Sequence, residues 1–124
     1  MEDVETSVRE HSFTIHGEPA SKANSRKIVL FGKRPALIKS EKARAYVKQF
    51  EAQCEVLDDL FVGDVGVEMT IYYCTRRPDL DESVILDCME TYIYKNDRQV
   101  KEKHIIWGGV DKEDPRAEIS VRYL

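Results

Sequence analysis

Carboxylates and arginines are concentrated in one short stretch of the chain, Arg76-Arg77-Pro78-Asp79-Leu80-Asp81-Glu82. A further aspartate, Asp97, follows within residues 94–100. Mg²⁺ is a hard cation that binds one or two carboxylates together with water and phosphate oxygens. A divalent ion held in this way activates water and neutralises charge on the oxygens of a phosphodiester. The residue types and their spacing therefore predict metal-dependent chemistry on nucleic acid, with Mg²⁺ or Mn²⁺ as the cofactor.

The same aspartates also have a structural interpretation. Asp79 or Asp81 can cap the helix predicted to follow, and Asp79 and Glu82 have the spacing of a capping box. Aspartates are common at helix starts because they accept backbone N–H bonds and face the positive end of the helix dipole. One cap is enough for one helix, so two acids two positions apart favour the metal site once Asp97 is counted.

The net charge of −4 hides a division along the chain. Residues 11–50 hold nine Lys and Arg against two acidic residues, whereas residues 51–124 hold seventeen acidic residues against nine basic ones. A basic part that holds phosphates beside an acidic part that holds metal suits a nuclease, although charged residues also solvate any small domain. The predicted phosphate contacts, which fix position rather than read sequence, are Lys22, Arg26, Lys27 and Arg77.

Length and composition bound the remaining possibilities. The 124 residues suffice for one domain, predicted over 11–124 after an acidic, disordered leader at 1–10. No apolar run reaches 18 residues and no secretory signal is visible, which predicts a cytoplasmic protein without a membrane span. No glycine-rich phosphate loop occurs, so no nucleotide cofactor is expected. The unclustered cysteines are expected to be reduced core residues; they are Cys54, Cys74 and Cys88.

Hydrophobic patterning predicts an α+β domain with a mixed sheet and two main helices, in the order β-β-β-α-β-α-β-β. Ser40 is the expected N-cap of the first helix. Ile85 is expected to face the core from the second. The predicted strands cover residues 12–16, 28–31 (buried), 36–38 (paired with 28–31 in a hairpin with a basic tip), 67–74, 97–107 and 117–123.

Two motifs resemble those of a known family. Pro78-Asp79-Leu80-Asp81, followed by Asp97-Arg98-Gln99-Val100, is similar to the signature of the RusA-type Holliday-junction resolvases, which are common in bacteriophages and prophages. Residues 13–22 resemble the opening strand and the Gly-x-Pro-x-Ser-Lys turn of that family. The resemblance covers roughly residues 11–124.

The resemblance implies a small RusA-like α+β fold and a metal-dependent, structure-specific endodeoxyribonuclease. Such an enzyme resolves branched DNA, including four-way junctions, by phosphodiester hydrolysis in DNA recombination and repair. It would act as a homodimer, in a bacterial host cytoplasm if phage-encoded. By the same resemblance, the metal-binding and catalytic carboxylates would be Asp79, Asp81 and Asp97.

The family also carries a Lys one helical turn after the second Asp of its motif. That position falls here on Ile85, or on Ser83 if the alignment gap is placed early in the helix. Without that Lys, the alternative function is a catalytically weak or inactive junction-binding protein.

Lys101 is the predicted catalytic replacement for the family Lys. If residues 97–103 are extended, the side chains of Asp97, Gln99, Lys101 and Lys103 project to one side. Lys95 is a second candidate. The alternative interpretation is that these lysines only face solvent.

Overall fold

A four-stranded mixed sheet is the centre of the fold. The computed structural model describes residues 9–20, 26–76 and 78–124. The strands of the sheet are β1 (Glu10–His16), β4 (Val65–Tyr73), β5 (Val100–Val110) and β6 (Arg116–Tyr123). Their order is β1-β6-β4-β5; β4 runs parallel to β5 and antiparallel to β6. The predicted α+β class and mixed sheet are confirmed, and β1 begins two residues before the predicted strand.

A separate hairpin is formed by β2 (Arg26–Phe31) and β3 (Arg34–Lys39). The turn uses Gly32 at a φ of +66°, and Lys33 and Arg34 are exposed beside it, so the predicted basic tip is confirmed. The prediction that the first of these strands is buried is wrong, because Leu30 is 70% exposed. In the described residues, β2 and β3 pair only with each other, so this strand lacks the neighbours that bury a central strand.

Two helices pack beside the sheet. Helix α1 (Glu41–Gln53) begins as predicted at Ser40, whose Oγ accepts the N–H of Ala43 at 3.1 Å. Helix α2 (Ser83–Met89) is short, and most of its residues, including Ile85, are buried. The core formed with these helices includes the alternate side chains of β4, namely Val65, Val67, Met69, Ile71 and Tyr73. Within the described segments, none of the helices is long and apolar enough to cross a membrane.

Candidate active site

Tyr73, the last residue of β4, anchors the acidic motif to the core. Its buried hydroxyl donates to the carbonyl of Asp79 at 3.4 Å and accepts the N–H of Asp81 at 3.3 Å. Burial raises the pKa of Tyr73 to about 12; the hydrogen bond from Asp81 lowers it, and the negative charges of Asp81, Glu18 and Asp79 raise it. The hydroxyl is therefore protonated at neutral pH and keeps its bond to the motif.

Asp81 is held between that tyrosine and the start of α2. It is 6% exposed and is the one charged side chain that is buried in the described parts of the chain. Its Oδ1 accepts the N–H of Ser83 at 3.0 Å, whereas Glu82, at the N-cap position, makes no capping bond with its side chain. The predicted capping box of Asp79 and Glu82 is thus wrong. Capping by Asp81 does not compete with metal binding, because a carboxylate has about four acceptor positions.

Glu18 is a third acid at this place, and nothing in the sequence marked it beyond its position in the opening turn. Its carboxylate accepts the N–H of Cys74 at 2.6 Å and the Nζ of Lys42 at 3.1 Å. Its charge also reaches the Tyr73 hydroxyl. Glu18 therefore connects the opening turn to the end of β4, directly before the acidic motif.

The motif around Asp97 begins with a 3₁₀ turn, Asp97–Gln99, rather than with a strand. Gln99 fixes this turn: its Oε1 accepts the N–H groups of Lys95 and Asn96, both at 3.0 Å. Its Nε2 donates to the carbonyls of Phe61 and Gly63. The prediction that residues 97–103 are fully extended is wrong, because these bonds close the chain into a turn before β5 starts.

Asp97 is placed beside the end of α2, where its N–H donates to Glu90 Oε2 at 2.8 Å. Asp81 precedes the other end of that seven-residue helix, which is about 10 Å long at the usual rise per residue. Burial raises the pKa of Tyr94, and the charges of Asp97, Glu90 and Asp87 raise it further. Asp97 thus shares its surroundings with Glu90 and Asp87.

The donor chemistry of the Asp79 and Asp81 pair fits Mg²⁺. Both carboxylates act on the Tyr73 hydroxyl, and hard carboxylate oxygens in ones and twos, completed by water and phosphate, are usual Mg²⁺ ligands. Over residues 9–20, 26–76 and 78–124, no three His, Cys, Asp or Glu side chains are grouped closely enough to hold a metal. The joining of Asp97 to the other two aspartates remains a prediction.

A lysine reaches the acidic motif from β5. Lys103 lies opposite Val67 of β4, and its Nζ is 2.6 Å from Glu82 Oε2. Lys101 is exposed and falls at the register shift between the pairs Val65–Val100 and Gly66–Glu102. Lys95 is also exposed. The alternation of a strand predicts that Lys103 lies on the same side as Lys101, but Lys101 was the residue predicted to be catalytic. The register shift at Lys101 has no marker in the sequence.

The predicted phosphate contacts are only partly within the described residues. Lys27 is exposed on β2. Arg26 belongs to the same strand, but its side chain lies outside the described part of the structure, as do Lys22 and Arg77 altogether. Their contact with DNA therefore remains a prediction.

Comparison with known proteins gives one finding. The profile of the family Endodeoxyribonuclease RusA matches residues 16–122. The match takes in the opening turn with Glu18, the Asp79-Leu80-Asp81 motif and the turn at Asp97. No curated protein matches the chain significantly. Because the family profile spans most of the sequence, the chain belongs to the RusA endodeoxyribonuclease family.

Proposed function

We propose that this protein is a divalent-metal-dependent, structure-specific endodeoxyribonuclease that cuts branched DNA, including four-way junctions. The observation that carries the proposal is the anchoring of Asp79-Leu80-Asp81 on the Tyr73 hydroxyl, beside Lys103, in a chain of this family. A pair of carboxylates on a rigid core is what metal-assisted phosphodiester hydrolysis requires. The activity would serve DNA recombination and repair in a bacterial cytoplasm, as a phage or prophage function.

Each residue of the motif has a proposed part in this chemistry. Asp79 and Asp81 would hold Mg²⁺ or Mn²⁺, with Asp97 as the third ligand. The bound ion would lower the pKa of an attacking water and neutralise charge on the phosphate oxygens. Tyr73 keeps the motif at the end of β4 through its two backbone hydrogen bonds. The N–H of Ser83 holds one oxygen of Asp81 and so fixes the orientation of that carboxylate.

A cation near these acids stabilises charge that develops in the transition state. Lys103 occupies such a place in the structure, through its ion pair with Glu82. Lys101 is the candidate that the sequence favours. It lies two residues before Lys103 on β5, so it also remains a candidate for this cation. The two lysines are separated by experiment below.

Binding of branched DNA would use the basic part of the chain and a second copy of the protein. The β2–β3 hairpin exposes Lys27, Lys33 and Arg34, and phosphate contacts of this type supply most of the affinity for nucleic acid. A four-way junction has two symmetric strands to cut. A two-fold homodimer offers two equivalent sites to such a substrate.

Cleavage of a synthetic four-way junction tests the proposal. The junction is incubated with Mg²⁺ or with Mn²⁺, and duplex DNA of the same sequence is the control. We expect paired nicks in the junction, none in the duplex, and no product for Asp81→Asn. If neither Mg²⁺ nor Mn²⁺ supports cleavage, the proposed nuclease activity is contradicted.

Junction binding without cleavage is the second candidate function. It is favoured by the absence of a lysine at Ser83 and Ile85 and by the hydrogen bond that ties the N–H of Asp97 to Glu90, the residue after α2. It predicts a junction complex that forms normally, with no nicks under either metal.

A further inference from the structure

Trp107 presents an exposed aromatic ring next to the acidic motif. It is the one tryptophan in the sequence. It lies on β5 opposite Ile71, is 40% exposed, and its ring stacks on Tyr73 with centroids 5.3 Å apart and an interplanar angle of 22°. Tyr73 itself is fully buried. The indole is therefore supported by the core on one side while a large part of it stays in contact with solvent.

The support beneath Trp107 is the same residue that anchors the catalytic motif. The hydroxyl of Tyr73 bonds to the backbone of Asp79 and Asp81, so only one aromatic ring separates the indole from the proposed metal ligands. A groove of about 560 Å³ runs past the indole, and the described residues that line it include Arg76, Trp107, Gly109 and Val110. This volume is within the range of small-ligand sites, about 300–1,000 Å³.

Two glycines shape the backbone at this groove. The register of β5 against β4 shifts between Ile71 and Tyr72, so that Gly108 is skipped. A Cβ on Gly108 would lie 2.7 Å from the ring of Tyr72, and Gly109 has a φ of +120°. Bulges of this kind redirect side chains and are common beside active sites. The sequence Trp-Gly-Gly thus makes a local irregularity that a regular strand does not need.

The charge around the groove indicates what binds there. Arg76 also lines this groove, and the guanidinium of arginine pairs with phosphate. Aromatic faces stack on nucleobases without regard to their identity. A base can reach the indole only after it leaves its own stack, which happens readily at branch points and in single strands and costs energy in a continuous duplex.

We propose that Trp107 is a stacking platform for an unpaired nucleobase next to the phosphodiester to be cut, with Arg76 contacting its phosphate. The inference rests on the proposed function and deepens it. The platform makes the site selective for DNA with an unstacked base, which is the substrate class that includes junctions, flaps and bulges.

Fluorescence tests the proposal directly, because Trp107 is the only source of tryptophan emission. The full-length protein is titrated without divalent metal, which prevents cleavage, against three probes. These are a four-way junction, the same junction with abasic sites at the branch, and the continuous duplex. Stacking of a base on the indole is expected to quench its emission with the intact junction, and clearly less with the other two probes.

Variants supply the second readout. Trp107→Ala should weaken junction binding by about tenfold or more, the usual effect of losing one stacking residue, with little change for duplex. Trp107→Phe should restore most of the affinity. Ile106→Ala is the matched control, since Ile106 is also exposed on β5 but projects from the opposite face, where its neighbour is Thr70.

The outcomes separate the two proposals. Junction binding with unchanged emission, and with equal affinity for intact and abasic branches, overturns the platform and leaves the nuclease standing. Failure of the wild-type protein to bind any of the three probes overturns both. If Trp107→Ala does not fold, the abasic comparison on the wild type and the Trp107→Phe affinity still decide.

Discussion

Lys103 and Glu82 form an ion pair of 2.6 Å that joins the edge strand β5 to the start of α2. Glu82 directly follows Asp81, so this pair holds a positive charge at the acidic motif. By the resemblance, the single lysine of the family falls here on Ile85 or, with the other gap placement, on Ser83, and neither is a lysine. The structure brings a cation to the same motif from a different element.

The first prediction compares the lysines of β5. Lys103→Ala should slow junction cleavage by about 10²-fold, as does removal of one electrostatic stabiliser in other enzymes, and should change DNA affinity little. Single-turnover rates at saturating protein measure the effect. Lys101→Ala and Lys95→Ala are the matched controls, since both lysines are exposed. A large loss in Lys101→Ala with a normal Lys103→Ala would support the assignment made from sequence instead.

The second prediction concerns the carboxylates. Asp81→Asn should abolish cleavage and preserve the fold, because the asparagine Oδ1 still accepts the N–H of Ser83. DNA binding should become tighter, since a negative charge near the phosphates is removed. Nicking rate, affinity and thermal unfolding are measured together. A folded Asp81→Asn protein that nicks DNA at the wild-type rate would contradict the assignment of Asp81 as a metal ligand.

Asp97→Asn tests the third ligand separately. Loss of cleavage that high Mn²⁺ concentrations partly reverse is the expected result for a ligand, because a weakened site fills again at higher metal concentration. A normal cleavage rate would show that Asp79 and Asp81 are sufficient to bind the metal. Asp97 would then act only in its own surroundings, where its N–H bonds to Glu90.

Helices and strands were predicted correctly from the sequence where a local signal determines them. The cap at Ser40 and the alternation along β4 each depend on neighbours within a few residues, and both are confirmed. Turns and registers were missed, because they depend on distant partners. Gln99 closes the 3₁₀ turn through the carbonyls of Phe61 and Gly63, more than thirty residues away.

The candidate site shows the same division. Asp79 and Asp81 are two positions apart in sequence, and both contact the Tyr73 hydroxyl through their backbone. Glu18 and Lys103 reach the site from opposite ends of the chain. Their places follow from strand pairing: Lys103 pairs with Val67 of β4, beyond a register shift at Lys101 that the sequence does not mark.

The third prediction concerns salt. Affinity for junction DNA should fall steeply with salt concentration, by a log–log slope of about −0.9 for each phosphate neutralised. Replacing Lys22, Arg26 and Lys27 together with alanine should flatten that slope by roughly two to three units. Lys112→Ala, in the acidic part of the chain, should leave the slope unchanged. If the triple variant keeps the wild-type slope, the phosphate contacts lie elsewhere.

The fourth prediction concerns alkaline pH. The ordinary pKa of a tyrosine hydroxyl is 10.0, and burial raises the pKa of Tyr73 to about 12. Between these values the unfolded chain has lost a proton that the folded chain retains, so stability falls as pH rises. The contribution of this group to the free energy of unfolding is complete below pH 10 and decreases by about 1.4 kcal/mol per pH unit from there until the folded pKa of about 12 is reached. Urea unfolding from pH 8 to 11 measures the slope, which Tyr73→Phe should reduce.

The last prediction uses the position of the absent lysine. Ile85 is fully buried, so a lysine there would place an unpaired charge in the core and destabilise the fold. Ser83 is partly exposed and is bonded to Asp81 through its N–H, so a lysine there lies beside the motif. If the wild-type protein binds junctions without cutting them, Ser83→Lys should produce cleavage, and Ser83→Gln, of similar size without the charge, should not. If a folded Ser83→Lys protein still does not cleave junctions, the junction-binding function is favoured, because the missing charge has then been restored without effect.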